Sequence, residues 1–159
     1  MGAFLNLAQH HGFPTPLLDW YYSPYVAAYF AYSRVDLSSK LTGSVRIFIL
    51  DKSILAETTP QFQHLTYVFP HLSILEALSI ENDRAVPQQG LLTLTNVQDI
   101  EWFLHVMERR VGKQILTVVD LPKSETPEII ADLRLMGITR SSLFPGIESI
   151  CLDTKGRLF

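Results

Sequence analysis

With 159 residues, 47% of them hydrophobic, the chain is long enough for one well-buried domain and short for two. Its 13 basic and 16 acidic residues give a formal net charge of −3; Arg109-Arg110 and the Lys155/Arg157 tail are the densest positive spots, and the lack of a basic stripe argues against nucleic-acid binding. The single cysteine, Cys151, excludes an internal disulfide framework and the usual multi-cysteine zinc sites, and it reads as a small buried residue on a late helix.

Residues 2–10 have the pattern of the end of a helix, with Phe4, Leu7 and Ala8 on one face, Gly12 terminating it and no cap in front. Pro14 and Pro16 then force an extended passage, because each fixes its own φ and drives the preceding residue out of the helical region. Leu17–Trp20 is expected to be a short buried strand within that passage. Ser23-Pro24 is a helix start, an N-cap serine before a proline at the first helical position, and the helix runs to about Ser33. Tyr25, Tyr29 and Tyr32 share one of its faces, Val26 and Phe30 another. Five of the six tyrosines fall between Tyr21 and Tyr32, which suits either an aromatic core helix or a pocket wall.

Gly43–Asp51, GSVRIFILD, is the strongest strand pattern in the chain, with Arg46 inside it. Leu65–Pro70 reads as another strand, Leu72–Ile80 as a short helix and Leu91–Thr95 as an extended run. Asn96 is expected to cap the next helix in a capping-box arrangement with Asp99. Ile100, Phe103, Leu104 and Met107 form the inner face of that helix, and Arg109, Arg110 and Gly112 close it. Gln114–Leu121 is a strand. Thr126-Pro127 opens a helix whose Ile129, Ile130, Leu133 and Met136 face inward until Gly137 stops it, and a turn and a final short helix follow. The irregular order of short strands and helices predicts a single α+β domain rather than a doubly wound sheet. No apolar run approaches the roughly 20 residues of a membrane-spanning helix, and no signal-peptide pattern opens the chain. The expected location is cytoplasmic.

Common catalytic motifs are missing. Adjacent His10 and His11 point about 100° apart on a helix, and with His64, His71 and His105 scattered, no metal site is expected. There is no Gly-x-Ser-x-Gly elbow, P-loop or Gly-x-Gly-x-x-Gly. Four places set polar residues beside strong structure breakers: Gln9-His10-His11-Gly12, Thr15 with Asp19-Trp20, Arg84 with Gln88-Gln89-Gly90, and Ser141-Ser142 before Leu143-Phe144-Pro145-Gly146. Each could present polar groups to a ligand or simply cap neighbouring backbone. Asp19 suits an N-cap or turn acceptor, and His10 a core histidine bonded to backbone near Pro14.

Residues 8–31, AQHHGFPTPLLDWYYSPYVAAYFA, resemble the signature of the FRG domain: Gln-His-Tyr/His-Gly, Pro-Thr-Arg-Leu-Leu-Asp-Trp, then Ser/Asn-Pro and an Ala-Leu-Tyr-Phe-Ala helix. The matching positions are Gln9, His10, Gly12, Pro14, Thr15, Leu17–Trp20, Pro24, Ala27 and Tyr29–Ala31. NDRAVPQQGLLTL is similar to the family's Arg…Gln-Gln-Gly segment through Arg84, Gln88, Gln89 and Gly90. GITRSSLFPGIES is similar to its closing segment through Gly137, Ile138 and Ser142–Pro145. Three departures stand out. The Phe/Tyr-x-x-x-Arg-Gly motif that belongs upstream does not occur before Gln9, Pro16 replaces an arginine, and Gly146 replaces an acidic residue.

The resemblance implies the C-terminal majority of an FRG domain, N-terminally truncated and spanning 1–159, from a bacterial or phage protein. By analogy it implies an ADP-ribosyltransferase-like fold with NAD or another nucleotide as ligand. Thr15 would then supply a supporting hydroxyl and Tyr29 a nicotinamide-side aromatic. Gln88 or Gln89 would stand where a carboxylate steadies the oxocarbenium-like ribose. The candidate pocket comprises Gln9, His10, Thr15, Asp19, Trp20, Tyr29, Arg84, Gln88 and Gln89. The alternatives are a non-catalytic module that recognises a small molecule or protein, and an inactive truncated copy.

Overall fold

Pro14 and Pro16 hold the chain extended as it enters strand β1 (Leu17–Tyr21), and Ser23 then starts helix α1 (Pro24–Tyr32) by accepting the Val26 N–H at its side-chain oxygen. A computed structural model describes these elements and residues 5, 8–9, 12–62, 66–75 and 85–158, leaving out the side chains of 85–86 and 155–158. Downstream come β2 (Ser44–Leu50), α2 (Lys52–Thr58), β3 (Leu72–Leu75), the short α3 (Ala85–Gln88) and β4 (Gly90–Thr95). They are followed by α4 (Ile100–Val111), β5 (Leu116–Pro122), a 3₁₀ turn (Lys123–Glu125), α5 (Thr126–Leu135), α6 (Arg140–Leu143) and α7 (Ile147–Leu158). The strands form a three-stranded sheet in the order β1-β4-β3 and a two-stranded sheet of β2 and β5. The fold is α+β.

By its internal contacts the chain divides into two compact units. The first comprises Met1–Trp20, Phe48–Ile80 and Leu91–Val119. Its core gathers Leu55, Leu72, Leu104 and Ile115, with Ile100, Phe103 and Met107 of α4 packed against it. Full burial of each such side chain stabilises the fold by about 1.5–3 kcal/mol. A second cluster joins Leu17, Leu92 and Leu94. The other unit comprises Tyr21–Ile47, Glu81–Gly90 and Asp120–Phe159. There α1 packs on α5, Val26, Tyr32, Leu133 and Leu143 are buried, and the Phe30 ring stacks on Tyr21 with centroids 4.6 Å apart.

Several elements differ from the sequence reading. Leu72–Leu75, expected to be helical, is a strand that pairs antiparallel with β4, Leu72 opposite Thr95 and Leu75 opposite Leu92. Pairing along β4 with Leu72 and Ser73 buried outweighs a weak local helical pattern; residues 76–80 lie outside the described residues. Tyr67–Pro70 is irregular rather than a strand, because the Tyr67 and Phe69 carbonyls accept from Asn96 Nδ2 instead of a ladder. Asn96 is therefore not the cap of α4. Asp99 is, accepting the Trp102 N–H at 2.9 Å. Helix α2 is not expected from the sequence; Asp51, expected to end a strand, accepts the Ser53 and Ile54 N–H groups and starts it.

Met136 is 57% exposed, since α5 ends before it and it serves as the C-cap residue. Cys151 is exposed on α7, not buried. The three tyrosines assigned to one face of α1 separate, with Tyr32 1% and Tyr25 54% exposed. The inner face of α4 is as expected, and Gly112 closes that helix at φ 67°, a left-handed conformation that a side chain would strain.

Candidate functional site

The first polar group is built by the turn ahead of β1. Thr15 donates its hydroxyl to Gln9 Oε1 and accepts the Leu17 N–H, which ties that side chain to the entry of the strand. Gln9 Nε2 in turn donates to Asp19 Oδ2 at 2.8 Å. The two ends of the Gln9 amide are thus both engaged, the carbonyl by a hydroxyl and the NH₂ by a carboxylate. Asp19 is an exposed residue on β1; it is neither an N-cap nor a turn acceptor, because the chain there is already in a strand and its partner is a side chain. Next to it, Trp20 donates its indole Nε1–H to Thr93 Oγ1 at 2.9 Å. Thr93 is fully buried on β4, so the indole is fixed against the sheet.

Tyr29, Gln88 and Gln89 belong to the other unit. Burial pushes the Tyr29 phenol up from its ordinary range, the Asp153 carboxylate adds to that, and Arg140 and Arg134 oppose it. Its ring meets Phe30 edge-on at 5.8 Å. Gln88 is buried and donates its side-chain amide to Leu143 O at 3.0 Å. Gln89 is exposed with φ 51°, and its carbonyl accepts the Tyr22 N–H. Neither glutamine is on a strand, since β4 begins at Gly90.

The three sequence segments singled out above meet within this unit. Phe30 of the first packs edge-on against Phe144 of the third at 5.7 Å, and Gln88 of the second holds the third through Leu143. Ser142 acts on backbone, forming a capping box with Thr139, while the Ser141 hydroxyl pairs with that of Thr139 and the Ser141 N–H donates to the Asp153 carboxylate. Of the nine candidates, then, Gln9, Thr15 and Asp19 form one hydrogen-bonded chain with Trp20 beside them in sequence, and Tyr29, Gln88 and Gln89 lie in the second unit. His10 and Arg84 lie outside the described residues.

Among the described residues no group of three or more His, Cys, Asp or Glu side chains could hold a metal ion, and no helix is long and apolar enough to cross a membrane. The sequence reading also missed an open pocket lined by Arg34, Lys40, Arg46 and Lys123. These cations are too far apart in the chain to register as a basic run.

No curated protein and no solved structure matches the chain. Residues 2–40 match the family model of the FRG domain. The match covers the segment that carries Gln9, Thr15, Asp19, Trp20 and Tyr29, while the Gln-Gln-Gly and Leu-Phe-Pro segments lie beyond it. The N-terminal part of this protein is therefore FRG domain sequence.

Proposed function

We propose that the FRG segment recognises a polar small molecule of the nucleotide class, with NAD as the ligand to test, and that it binds without transferring ADP-ribose. The supporting observation is the hydrogen-bonded chain from Thr15 through Gln9 to Asp19. It orients an exposed carboxylate whose second oxygen has no partner among the described residues. A carboxylate held in this way accepts well from vicinal hydroxyls such as those of a ribose. The adjacent Trp20 is already anchored through Thr93 and adds a rigid edge to the same strand.

Recognition is favoured over transfer by the state of Gln88. ADP-ribosyl transfer calls for a negative charge beside the developing oxocarbenium-like ribose. At the corresponding segment this chain has two neutral glutamines, one of them buried with its amide committed to Leu143.

Calorimetry of the protein with NAD tests this reading. Asp19→Asn should weaken binding about tenfold or more, the loss of one charge-assisted hydrogen bond, with the melting temperature unchanged because Asp19 is exposed. No binding by the folded wild-type chain, or equal affinity in Asp19→Asn, would overturn the site. Release of nicotinamide on incubation would overturn the absence of transfer.

A further inference from the structure

Four cations that lie apart in the sequence meet around one open pocket of about 430 Å³: Arg34 after α1, Lys40 in the following loop, Arg46 on β2 and Lys123 after β5. The backbone that carries them is pinned at several points. Tyr32, almost fully buried, donates its phenol to Pro122 O, which ties the end of α1 to the end of β5. The next residue, Lys123, donates its backbone N–H to Gly43 O just ahead of β2. Val35 and Val45 contribute apolar lining.

Two carboxylates nearby are already engaged. Asp36, which also lines the pocket, accepts both the N–H and the hydroxyl of Ser38. These two bonds hold its carboxyl below the ordinary aspartate range. Asp120 takes Arg46 in a two-pronged pair, both contacts at 2.9 Å. Four cations against Asp36, Asp120 and Glu125, which lies close enough to act on the Tyr32 phenol, leave one positive charge in excess. Among the described residues, Arg34, Lys40 and Lys123 form no ion pair.

We propose that this pocket binds the phosphomonoester or pyrophosphate group of a small molecule. The excess positive charge suits an anion. An arginine fork together with lysine ammonium groups is the combination that recognises phosphate oxygens. The volume falls within the range of small-molecule sites, and the valines give the organic part of such a ligand a surface to rest on. An extended nucleic-acid backbone is disfavoured, because the chain as a whole carries a net negative charge. The inference does not depend on nucleotide binding at Asp19.

Inorganic pyrophosphate, titrated into the full chain and followed by phosphorus NMR and calorimetry, is the probe. The double variant Lys40→Gln/Lys123→Gln should weaken binding by about tenfold or more, while Lys40→Arg/Lys123→Arg should retain it. Lys113→Gln, which removes a cation paired with Glu57 elsewhere, should leave the affinity at the wild-type value. Raising the salt concentration should weaken binding several-fold. Thermal melts establish that each variant is folded. The proposal is overturned if pyrophosphate does not bind at millimolar concentration, if the glutamine pair binds as tightly as wild type, or if Lys113→Gln loses as much affinity.

Discussion

Every residue of β4 from Leu91 to Thr95 is buried, whereas β2 exposes Arg46, Phe48 and Ile49 and β5 exposes Thr117, Val118 and Asp120. The difference follows from position. β4 has a strand on each side in the order β1-β4-β3, while among the described residues β2 and β5 have only each other. A central strand must satisfy its polar side chains from within. Thr93 accepts from Trp20, and Thr95 donates to His71 O at 2.8 Å while accepting the Val97 N–H. A two-stranded ladder can leave polar groups to water and place opposite charges across its strands, as Arg46 and Asp120 do. Both ligand-binding proposals draw on such exposed positions, Asp19 on the outer strand β1 and Arg46 on β2, where a charge can meet solvent and ligand alike.

The sharpest way to test this contrast is to truncate an aliphatic side chain to alanine in each sheet. Leu94→Ala on β4 should cost about 2–5 kcal/mol in denaturant unfolding, the range for a buried leucine that leaves a cavity. Val118→Ala on β5 should stay within about 0.5 kcal/mol, as surface changes usually do. Equal losses would erase the distinction.

Polar satisfaction gives the next largest effect. Thr93→Val keeps the shape but leaves the Trp20 indole N–H without its acceptor, so unfolding should become easier by about 1–3 kcal/mol. Thr117→Val, on the exposed ladder, should be close to neutral. Smaller again is the entry to β4. Gln89 adopts φ 51° without being a glycine, and Gln89→Gly should raise stability by about 1 kcal/mol through relief of that conformation. A fall in the melting temperature would mean that the Gln89 side chain contributes more than its backbone costs.

The smallest effect separates by pH. Arg46 holds the Asp120 carboxyl below the ordinary aspartate range, chiefly through their hydrogen bonds. A depressed carboxyl contributes stability that is present above the ordinary aspartate value of about 3.9 and is lost as pH falls through its own lower value. An NMR titration of Asp120 should therefore show a midpoint below that of an ordinary aspartate, and Arg46→Gln should move it upward. An unchanged midpoint would show that the pair is not maintained in solution.

What the sequence made legible was local. The 3.6-residue spacing of Ile100, Phe103, Leu104 and Met107, the Ser23-Pro24 start and Gly112 each act within a few residues of where they stand, and the structure places them as read. Misreadings arose where a remote partner decides. Leu72–Leu75 is a strand because β4 lies beside it, and Asn96 serves the carbonyls of residues 67 and 69 rather than its own helix. The candidate site divides along the same line. Gln9, Thr15 and Asp19 are ten residues apart at most, and their association follows from one proline-rich turn. The pocket cations span positions 34 to 123, a separation that no window along the chain can register.

The bond from Gln88 to Leu143 spans 55 residues, and that distance becomes a delay during synthesis. At about 5–20 residues per second, the acceptor emerges roughly 3–11 s after its donor. Until then the Gln-Gln-Gly segment has no means of burying Gln88 with its amide satisfied. A chain that stops short of Leu143 keeps that amide without its acceptor and exposes the segment to proteases and to mispairing. A segment made later thus determines when one made earlier can settle.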